Sequence, residues 1–200
     1  MTLLEEVSPE ILREASIPVL ETERLVLRAP RLGDAKAIAQ LANDRRIAEN
    51  TTRIPHPYRV ADAEAFIEHV AHAGAGEIAF LITLADDPIG ACGLASVDGP
   101  VPDLGYWLGA PYWGNGYATE AARAVIDYAF SALGHEELQA GARVTNPASR
   151  RVLEKCGFQW TGVGLYRIRA LSSSAPIDRF RLERGIWSSL KSWGRMKQVA

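Results

Sequence analysis

The sequence lacks the features that define several large classes of protein. It holds two cysteines, Cys92 and Cys156, whose separation fits neither a disulfide framework nor a metal-ligand or redox pair, and we expect both to be small buried residues. No uncharged apolar run is long enough to span a bilayer, and the acidic N-terminus does not resemble a signal peptide. A formal net charge of −2 argues against nucleic acid as the main partner. We therefore expect a cytoplasmic protein with no membrane or nucleic-acid partner.

The length and composition suit one domain. Two hundred residues with 48% hydrophobic content can bury a core of their own. We expect an N-terminal arm or short helix over residues 1–20, a single domain over residues 21–187 and a C-terminal tail over residues 188–200. Acidic residues dominate the first segment and basic residues the last, which we interpret as two solvated termini. Monomer and homodimer both stay open.

Hydrophobic periodicity predicts strands and helices in the order βααβββαβαββ. The predicted strands lie near residues 25–27, 77–84, 89–97, 104–109, 137–144, 158–168 and 177–182. The turn signal Asp86-Asp87-Pro88 joins the second and third strands, and residues 50–58 form a loop that is a candidate cover for a substrate. This order implies an α/β (α+β) fold in which helices flank a mixed sheet.

Residues 112–122, Tyr-Trp-Gly-Asn-Gly-Tyr-Ala-Thr-Glu-Ala-Ala, are the most informative stretch. They form a glycine-rich turn that opens into a helix. Gly114 and Gly116 lack a Cβ, so the backbone can bend tightly and turn successive N–H groups towards an anion. The helix adds its unpaired first N–H groups and the positive end of its dipole. The pattern predicts a phosphate site, and the alternative is a strand-to-helix turn with nothing bound.

Other phosphate-binding loops fit this stretch less well. A dinucleotide-binding loop would carry a third glycine where Thr119 stands, which disfavours a dinucleotide-dependent oxidoreductase. A nucleoside-triphosphate loop needs Gly-Lys followed by Ser or Thr, and the sequence has no such run here.

A second motif follows at residues 146–158, Asn-Pro-Ala-Ser-Arg-Arg-Val-Leu-Glu-Lys-Cys-Gly-Phe. Asn146 is suited to cap a helix with Pro147 at its first position. Together, Trp113 to Ala118 and this motif resemble the GNAT superfamily of acetyl-CoA-dependent N-acetyltransferases, in the branch of the ribosomal-protein alanine N-acetyltransferases. Residues 21–28 resemble the first strand of that branch. Trp113 stands where the superfamily usually has Arg or Gln, and this branch often has an aromatic residue there.

The resemblance implies a six- to seven-stranded, mostly antiparallel sheet that is splayed between its fourth and fifth strands. Acetyl-CoA would bind there as co-substrate, without a metal. The implied pantetheine partners are the backbone groups of Trp107, Leu108 and Gly109, with the Leu108 N–H as the oxyanion donor. The pyrophosphate would bind the N–H groups of Gly114, Asn115, Gly116, Tyr117, Ala118 and Thr119. The side chain of Asn146 would bond the pantetheine arm.

The expected reaction is direct attack by a primary amine, carried by a protein N-terminus or by a small molecule. Asp103 is the candidate that takes the proton through water, and a surface aspartate is the alternative. Ser149 would point towards the cofactor sulfur and protonate the thiolate or order a water, whereas a solvent-facing serine is the competing interpretation. Glu77, His72 and His56 are further candidate bases. A non-catalytic acyl-CoA-binding or sensing module is the alternative function.

Overall fold

The computed structural model describes residues 17–73, 77–96 and 99–197. Within them, the strands are β1 (Leu20–Glu21), β2 (Val26–Arg28), β3 (Glu77–Leu84), β4 (Asp87–Ala95), β5 (Asp103–Leu108), β6 (Glu137–Arg143), β7 (Gln159–Ile168) and β8 (Ser173–Glu183). The α-helices are α1 (Ala35–Ala42), α2 (Arg45–Ala48), α3 (Val60–His72), α4 (Tyr117–Ser131), α5 (Pro147–Lys155) and α6 (Arg184–Lys197). Short 3-10 helices cover Leu32–Asp34, Ala110–Tyr112 and Arg169–Leu171. Most of the predicted N-terminal arm, residues 1–16, lies outside the described residues.

The strands form one sheet in the order β1-β2-β3-β4-β5-β6-β8-β7. Every neighbouring pair is antiparallel except β5 and β6. These two run parallel and pair at only two positions, Asp103 with Gln139 and Leu104 with Ala140. Beyond them the strands diverge and leave a gap, so the predicted splay between the fourth and fifth predicted strands is confirmed. The described sheet has eight strands rather than six to seven, because the two-residue β1 pairs with β2.

Each face of the sheet is covered by helices. Alternate residues of a strand point to opposite faces, so β5 sends Tyr106 to one face and Trp107 to the other. We call these the Tyr106 face and the Trp107 face. The Tyr106 face packs against α4 and α5 through a buried cluster that includes Phe80, Leu104, Leu108, Val125, Ile126, Phe130, Leu153 and Phe180. The Trp107 face packs against α1 and α3 through Ile38, Ala39, Ala63, Ile67 and Leu81.

The hairpin between β3 and β4 turns one residue earlier than predicted. Its two turn residues are Ala85 and Asp86, with φ of 48° and 71°, and Asp87 and Pro88 already belong to β4. A two-residue hairpin loop of this type needs positive φ at both central positions, and proline is locked near −65°. Pro88 therefore cannot be a turn residue, and the predicted turn Asp86-Asp87-Pro88 is corrected accordingly.

Residues 188–197, which we expected to form a tail, continue α6. Trp187 packs against Phe130 with ring centroids 5.2 Å apart, and its indole N–H donates to Asp127 Oδ1 at 2.6 Å. Lys191 reaches the other carboxylate oxygen of Asp127 at 3.0 Å. These contacts attach α6 to α4 across the core. Of the helices in the described ranges, none has the length and hydropathy to cross a bilayer.

Candidate functional site

The glycine-rich loop leads into α4 as predicted. Gly114 and Gly116 have φ of 81° and 83°, and Gly116 is the N-cap of the helix. The first bond of the helix runs from the Glu120 N–H to the Gly116 carbonyl at 3.1 Å. In the part of the chain that the structure describes, the N–H groups of residues 114–119 have no backbone acceptor. The structure therefore brings the predicted anion-binding residues together as one row of donors at a helix N-terminus, which can hold a phosphate.

An ion pair holds this loop against the start of the sheet. The Glu120 carboxylate accepts hydrogen bonds from Thr22 Oγ1 at 2.7 Å, the Arg24 N–H at 2.9 Å and Arg24 Nε at 2.7 Å. The same guanidinium donates to the Asn115 carbonyl at 3.0 Å and lies 4.7 Å from the centre of the Tyr117 ring. We call this arrangement the Arg24–Glu120 clamp. Sequence reasoning missed it, although both residues lie in stretches that it had singled out.

The clamp changes the acidity of Glu120. Burial acts to raise the pKa of its carboxyl, but the hydrogen bonds from Thr22 and Arg24 outweigh that effect and hold the pKa below its ordinary value. Glu120 therefore stays ionised at neutral pH, in the first turn of α4 where the helix dipole also favours negative charge. Its charge is offset by Arg24, so it does not cancel the attraction of the loop for an anion.

A cleft of about 580 Å³ adjoins the loop between the β1–β2 turn and α4. Its lining includes Gly116 and Thr119 with the basic side chains Arg24, Arg123 and Lys155. Arg123 donates to the Lys155 carbonyl at 2.9 Å, which connects α4 to the end of α5. The cleft is also lined by the acidic side chains Glu21, Glu23, Glu120 and Asp127, so its charge is mixed, and the attraction for an anion comes from the row of amide donors beside it.

The pleat of β5 decides which backbone groups face the gap beside β6. The Gly109 N–H donates to the Ile89 carbonyl at 2.8 Å, and Trp107 pairs with Ala91, so their backbone groups point to β4. The prediction that Trp107 and Gly109 offer their backbone to the pantetheine arm is therefore wrong. The backbone groups of Tyr106 and Leu108 point into the gap instead. That the Leu108 backbone pairs with the pantetheine arm stays a prediction. The structure adds the Tyr106 backbone as a second candidate for this pairing.

Trp113 attaches the glycine-rich loop to β5. Its indole N–H donates to the Leu108 carbonyl at 2.7 Å, so that carbonyl already has a donor. The Arg46 guanidinium stacks over the Trp113 ring at 5.0 Å from its centre. An arginine or glutamine at position 113 has no aromatic ring and could not make this contact with Arg46. The tryptophan therefore adds a local contact that the usual residues at this position would lack.

Across the gap, Ser149 meets a residue that sequence reasoning missed. Asn146 caps α5, as predicted, by accepting the Ser149 N–H at 3.1 Å. The Ser149 hydroxyl lies 2.9 Å from the Tyr106 hydroxyl and is half-buried, so it is not a solvent-facing serine. Burial raises the pKa of Tyr106, so its phenol stays protonated. In the sequence, Tyr106 places a hydroxyl between Leu104 and Leu108 on one face of the predicted strand. This polar group on an apolar face is the signal that could have identified Tyr106 as a site residue.

Asp103 lies on the opposite side of the sheet from Ser149. Its side chain is only 13% exposed, which rules out a surface aspartate, and its Oδ1 is 2.8 Å from Arg179 Nη2. Arg179 also donates to Gln139 Oε1 at 3.0 Å and lies 5.1 Å from the centre of the Tyr166 ring. The two predicted catalytic residues therefore flank the gap from the Trp107 face and the Tyr106 face.

The other candidate bases have partners of their own. Glu77 of β3 pairs with Ala95 of β4, which in turn pairs with Asp103 of β5. Glu77 therefore lies two strand spacings, about 10 Å, from Asp103. Its carboxylate accepts from Arg53 at 2.8 Å and contacts His69 at 2.9 Å. Burial acts to raise the pKa of Glu77, but these hydrogen bonds outweigh it and lower the pKa. His72 contacts the Glu68 carbonyl at 2.8 Å, and His56 is exposed.

Within the described residues, neither the two cysteines nor the potential metal ligands form a further reactive centre. Cys92 and Cys156 are buried, as predicted. Burial raises the pKa of Cys92, and it raises the pKa of Cys156 to about 11, so both stay protonated at neutral pH. Among residues 17–73, 77–96 and 99–197 there is no group of three or more His, Cys, Asp or Glu side chains placed to hold a metal ion.

Comparison with known proteins identifies relatives of the same fold. A family model for the acetyltransferase (GNAT) domain matches residues 24–159. The uncharacterized N-acetyltransferase p20 of Bacillus licheniformis is 31% identical over 149 residues, which cover 72% of this chain and 84% of that protein. Mycobacterium smegmatis RimJ, in complex with CoA-disulfide, matches with a TM-score of 0.73 and 20% identity, covering 90% of this chain and 94% of that one. The microcin C7 self-immunity acetyltransferase MccE, in complex with acetyl-CoA and AMP, matches with a TM-score of 0.71 and 20% identity, covering 81% and 93%.

The clamp predicts a pH-dependent loss of stability in the Glu120→Gln variant. At pH 7 the variant loses the charge that Thr22 and Arg24 bind, which we expect to lower the free energy of unfolding by about 1 kcal/mol after solvent screening. Because the folded pKa is depressed, the stabilisation is present above the ordinary carboxyl pKa and is lost as pH falls through the folded value. The difference from the unmodified protein should therefore shrink below about pH 4.

Urea unfolding at pH 7 and in acid measures this difference. Glu154→Gln is the matched control, because Glu154 bonds Arg150 at 2.9 Å while both side chains are nearly half exposed, and we expect a change below about 0.5 kcal/mol. Equal effects of the two substitutions at pH 7 would show that the clamp does not stabilise the fold.

Proposed function

Because the chain belongs to the acetyltransferase (GNAT) family, we propose that it moves an acetyl group from acetyl-CoA directly to a primary amine on a protein N-terminus or a small molecule. Acetyl-CoA-dependent N-acetylation is the general activity of the family, and the chain is an N-acetyltransferase. The observation that carries the proposal is the row of free amide donors at residues 114–119, beside the gap between β5 and β6.

The donor molecule would extend from the loop into the gap. The N–H groups of Gly114 to Thr119 bind the pyrophosphate at the positive end of the α4 dipole, and Arg24 offsets the charge of Glu120 beside them. The pantetheine arm then runs beside β5 and pairs with the backbone groups of Tyr106 and Leu108, as an added strand pairs with a sheet edge. The Asn146 amide bonds the same arm from α5. This binding mode neutralises the diphosphate without a metal ion.

The chemistry needs a neutral amine, because an ammonium ion has no lone pair with which to attack the thioester. An α-amino group titrates near ~7.7–8.0 and a lysine side chain near ~10.4, so an α-amine demands much less of a general base. Asp103 would take its proton through a water molecule on the Trp107 face. Arg179 holds that carboxylate in place.

The attack forms the new C–N bond and places negative charge on the carbonyl oxygen. A backbone N–H of β5 that faces the gap, from Tyr106 or Leu108, is the donor for this oxygen. Collapse of the intermediate breaks the C–S bond, and the thiolate takes a proton from a water that Ser149 orders or from the Ser149 hydroxyl, which regains one from water, while Asp103 returns its proton to solvent. Tyr106 orients the Ser149 hydroxyl through their 2.9 Å contact. The base and the acid thus work from opposite faces, which keeps the amine and the leaving thiol apart.

Binding of acetyl-CoA tests the donor site. At 100 times its dissociation constant the ligand should stabilise the protein by about 2.7 kcal/mol, which is a rise in Tm of roughly 8 °C for a domain of this size. Gly116→Glu should abolish this rise, because it puts bulk and negative charge among the amide donors. NAD and ATP should give no comparable rise.

Gly134→Glu is the matched control for that measurement. Gly134 also has positive φ, at 74°, and open space around its Cα, so the substitution imposes the same backbone strain far from the loop. Both variants should lose intrinsic stability, but only the Gly116 variant should lose the response to acetyl-CoA. A full response in Gly116→Glu would refute the donor site.

Kinetic analysis of Asp103→Asn and Ser149→Ala tests the catalytic proposal. We expect Asp103→Asn to lower kcat about 100-fold with acetyl-CoA affinity intact, and Ser149→Ala to lower it about 10-fold. Thiol release is followed against pH across a panel of α-amines and lysine-like amines. An unchanged pH–rate profile for the Asp103 variant would contradict its assigned role, and binding without thiol release from any amine would favour a sensing module.

A further inference from the structure

A second cavity opens on the side of the molecule where the loop of residues 50–58 meets the β7–β8 connection. Its volume is about 520 Å³, and it is lined by Thr52, Arg53, Arg167, Arg169 and Ser172. The Arg169 N–H donates to the Thr52 carbonyl at 3.1 Å, which joins the two segments into one wall. The lining is therefore built from two parts of the chain that are more than a hundred residues apart.

The cavity carries an excess of positive charge. Arg53 pairs with Glu77 at 2.8 Å. Within the described residues, neither Arg167 nor Arg169 forms an ion pair with a carboxylate, and all three side chains are exposed. The three guanidinium groups thus have one carboxylate partner, Glu77, and their remaining positive charges repel one another. Such a group of arginines is suited to bind an anion, because the guanidinium fork matches a carboxylate or phosphate.

The cavity adjoins the face on which the acceptor amine would react. Ile54, two residues after Thr52, packs in the same cluster as Trp107, which shares its face with Asp103. The segment before the loop is attached to the end of β6, because Arg143 donates to the Glu49 carbonyl at 2.9 Å. These contacts link the wall of the cavity to the cluster on the Trp107 face, the face that carries Asp103.

Tyr58 lies in the buried cluster that also contacts Ile54. Burial raises the pKa of the Tyr58 hydroxyl to about 12, the Asp62 charge adds to that rise, and the positive charge of Arg169 opposes it.

We propose that this cavity selects acceptors by binding an anionic group, so that the enzyme prefers an amine whose own molecule carries a carboxylate or phosphate near the reacting nitrogen. The inference rests on the proposed N-acetyltransferase function and specifies its acceptor class. The anionic group has two sources with the same chemistry, the acidic side chains of a peptide that follow its N-terminal amine, or a small anionic amine. Arg167 and Arg169 are the specificity-determining residues.

The test compares matched acceptors on the enzyme and on the double variant Arg167→Gln/Arg169→Gln. One arm uses peptides that begin with alanine and carry Asp and Glu, or Asn and Gln, at the next three positions. The other arm uses aspartic acid α-amide and aspartic diamide as small α-amines, of which only the first carries a carboxylate. We expect the unmodified enzyme to prefer the acidic member of at least one pair, and the arm with the larger preference identifies the source.

In the double variant, KM for the preferred acidic acceptor should rise about 10-fold while kcat stays within about twofold, because two exposed charge contacts are lost and the reacting groups are untouched. KM for the neutral acceptor should not change. High salt should reduce the preference of the unmodified enzyme in the same direction. Arg181→Gln is the control, an exposed arginine of β8 that pairs with Glu137 at 2.7 Å, and it should leave both KM values unchanged.

Equal KM values for acidic and neutral acceptors, or an unchanged ratio in the double variant, would overturn the proposal. Direct binding of the same peptides in the presence of CoA repeats the comparison without turnover. If acidic peptides bind more tightly and lose that advantage in the double variant while no amine is acetylated, the proposed activity fails and the anion site stands. If neutral acceptors are acetylated as well as acidic ones, the activity stands and the anion site fails.

Discussion

Backbone N–H groups need acceptors, and this fold leaves two neighbouring sets of them without one inside the described chain. One set lies at the N-terminus of α4, where residues 114–119 precede the first helical bond. The other lies on β5, which pairs with β6 at only two positions before the strands part. The Trp113 indole joins them by donating to the Leu108 carbonyl. The donor site that we propose is therefore a continuous line of main-chain groups, which side chains serve mainly to position.

The sheet also separates the two halves of the chemistry that we propose. Tyr106 and Ser149 approach the gap from the face covered by α4 and α5, and Asp103 and Arg179 approach it from the other face. The pleat of β5 produces this separation, since alternate residues of one strand must point to opposite faces. A proton can then be removed from the amine on one side and supplied to the thiol on the other without the two groups competing.

Local patterns in the sequence predicted the parts of the site that depend on local structure. Two glycines before an apolar helical repeat predicted the loop and α4, and Asn-Pro predicted the cap at Asn146. The parts that were missed depend on contacts between distant segments. The Arg24–Glu120 clamp joins residues 96 positions apart, and the Tyr106–Ser149 contact joins residues 43 apart. The assignment of Trp107 and Gly109 was wrong because the direction of a backbone group depends on which neighbour the strand pairs with.

A crystal structure of the protein with bound acetyl-CoA tests the central claim most directly, since it locates the diphosphate relative to the backbone. We expect its phosphate oxygens to lie within about 3 Å of main-chain nitrogens between residues 114 and 119, with the pantetheine amides opposite Tyr106 and Leu108. A diphosphate held by side chains elsewhere, with those nitrogens facing only solvent, would contradict the claim.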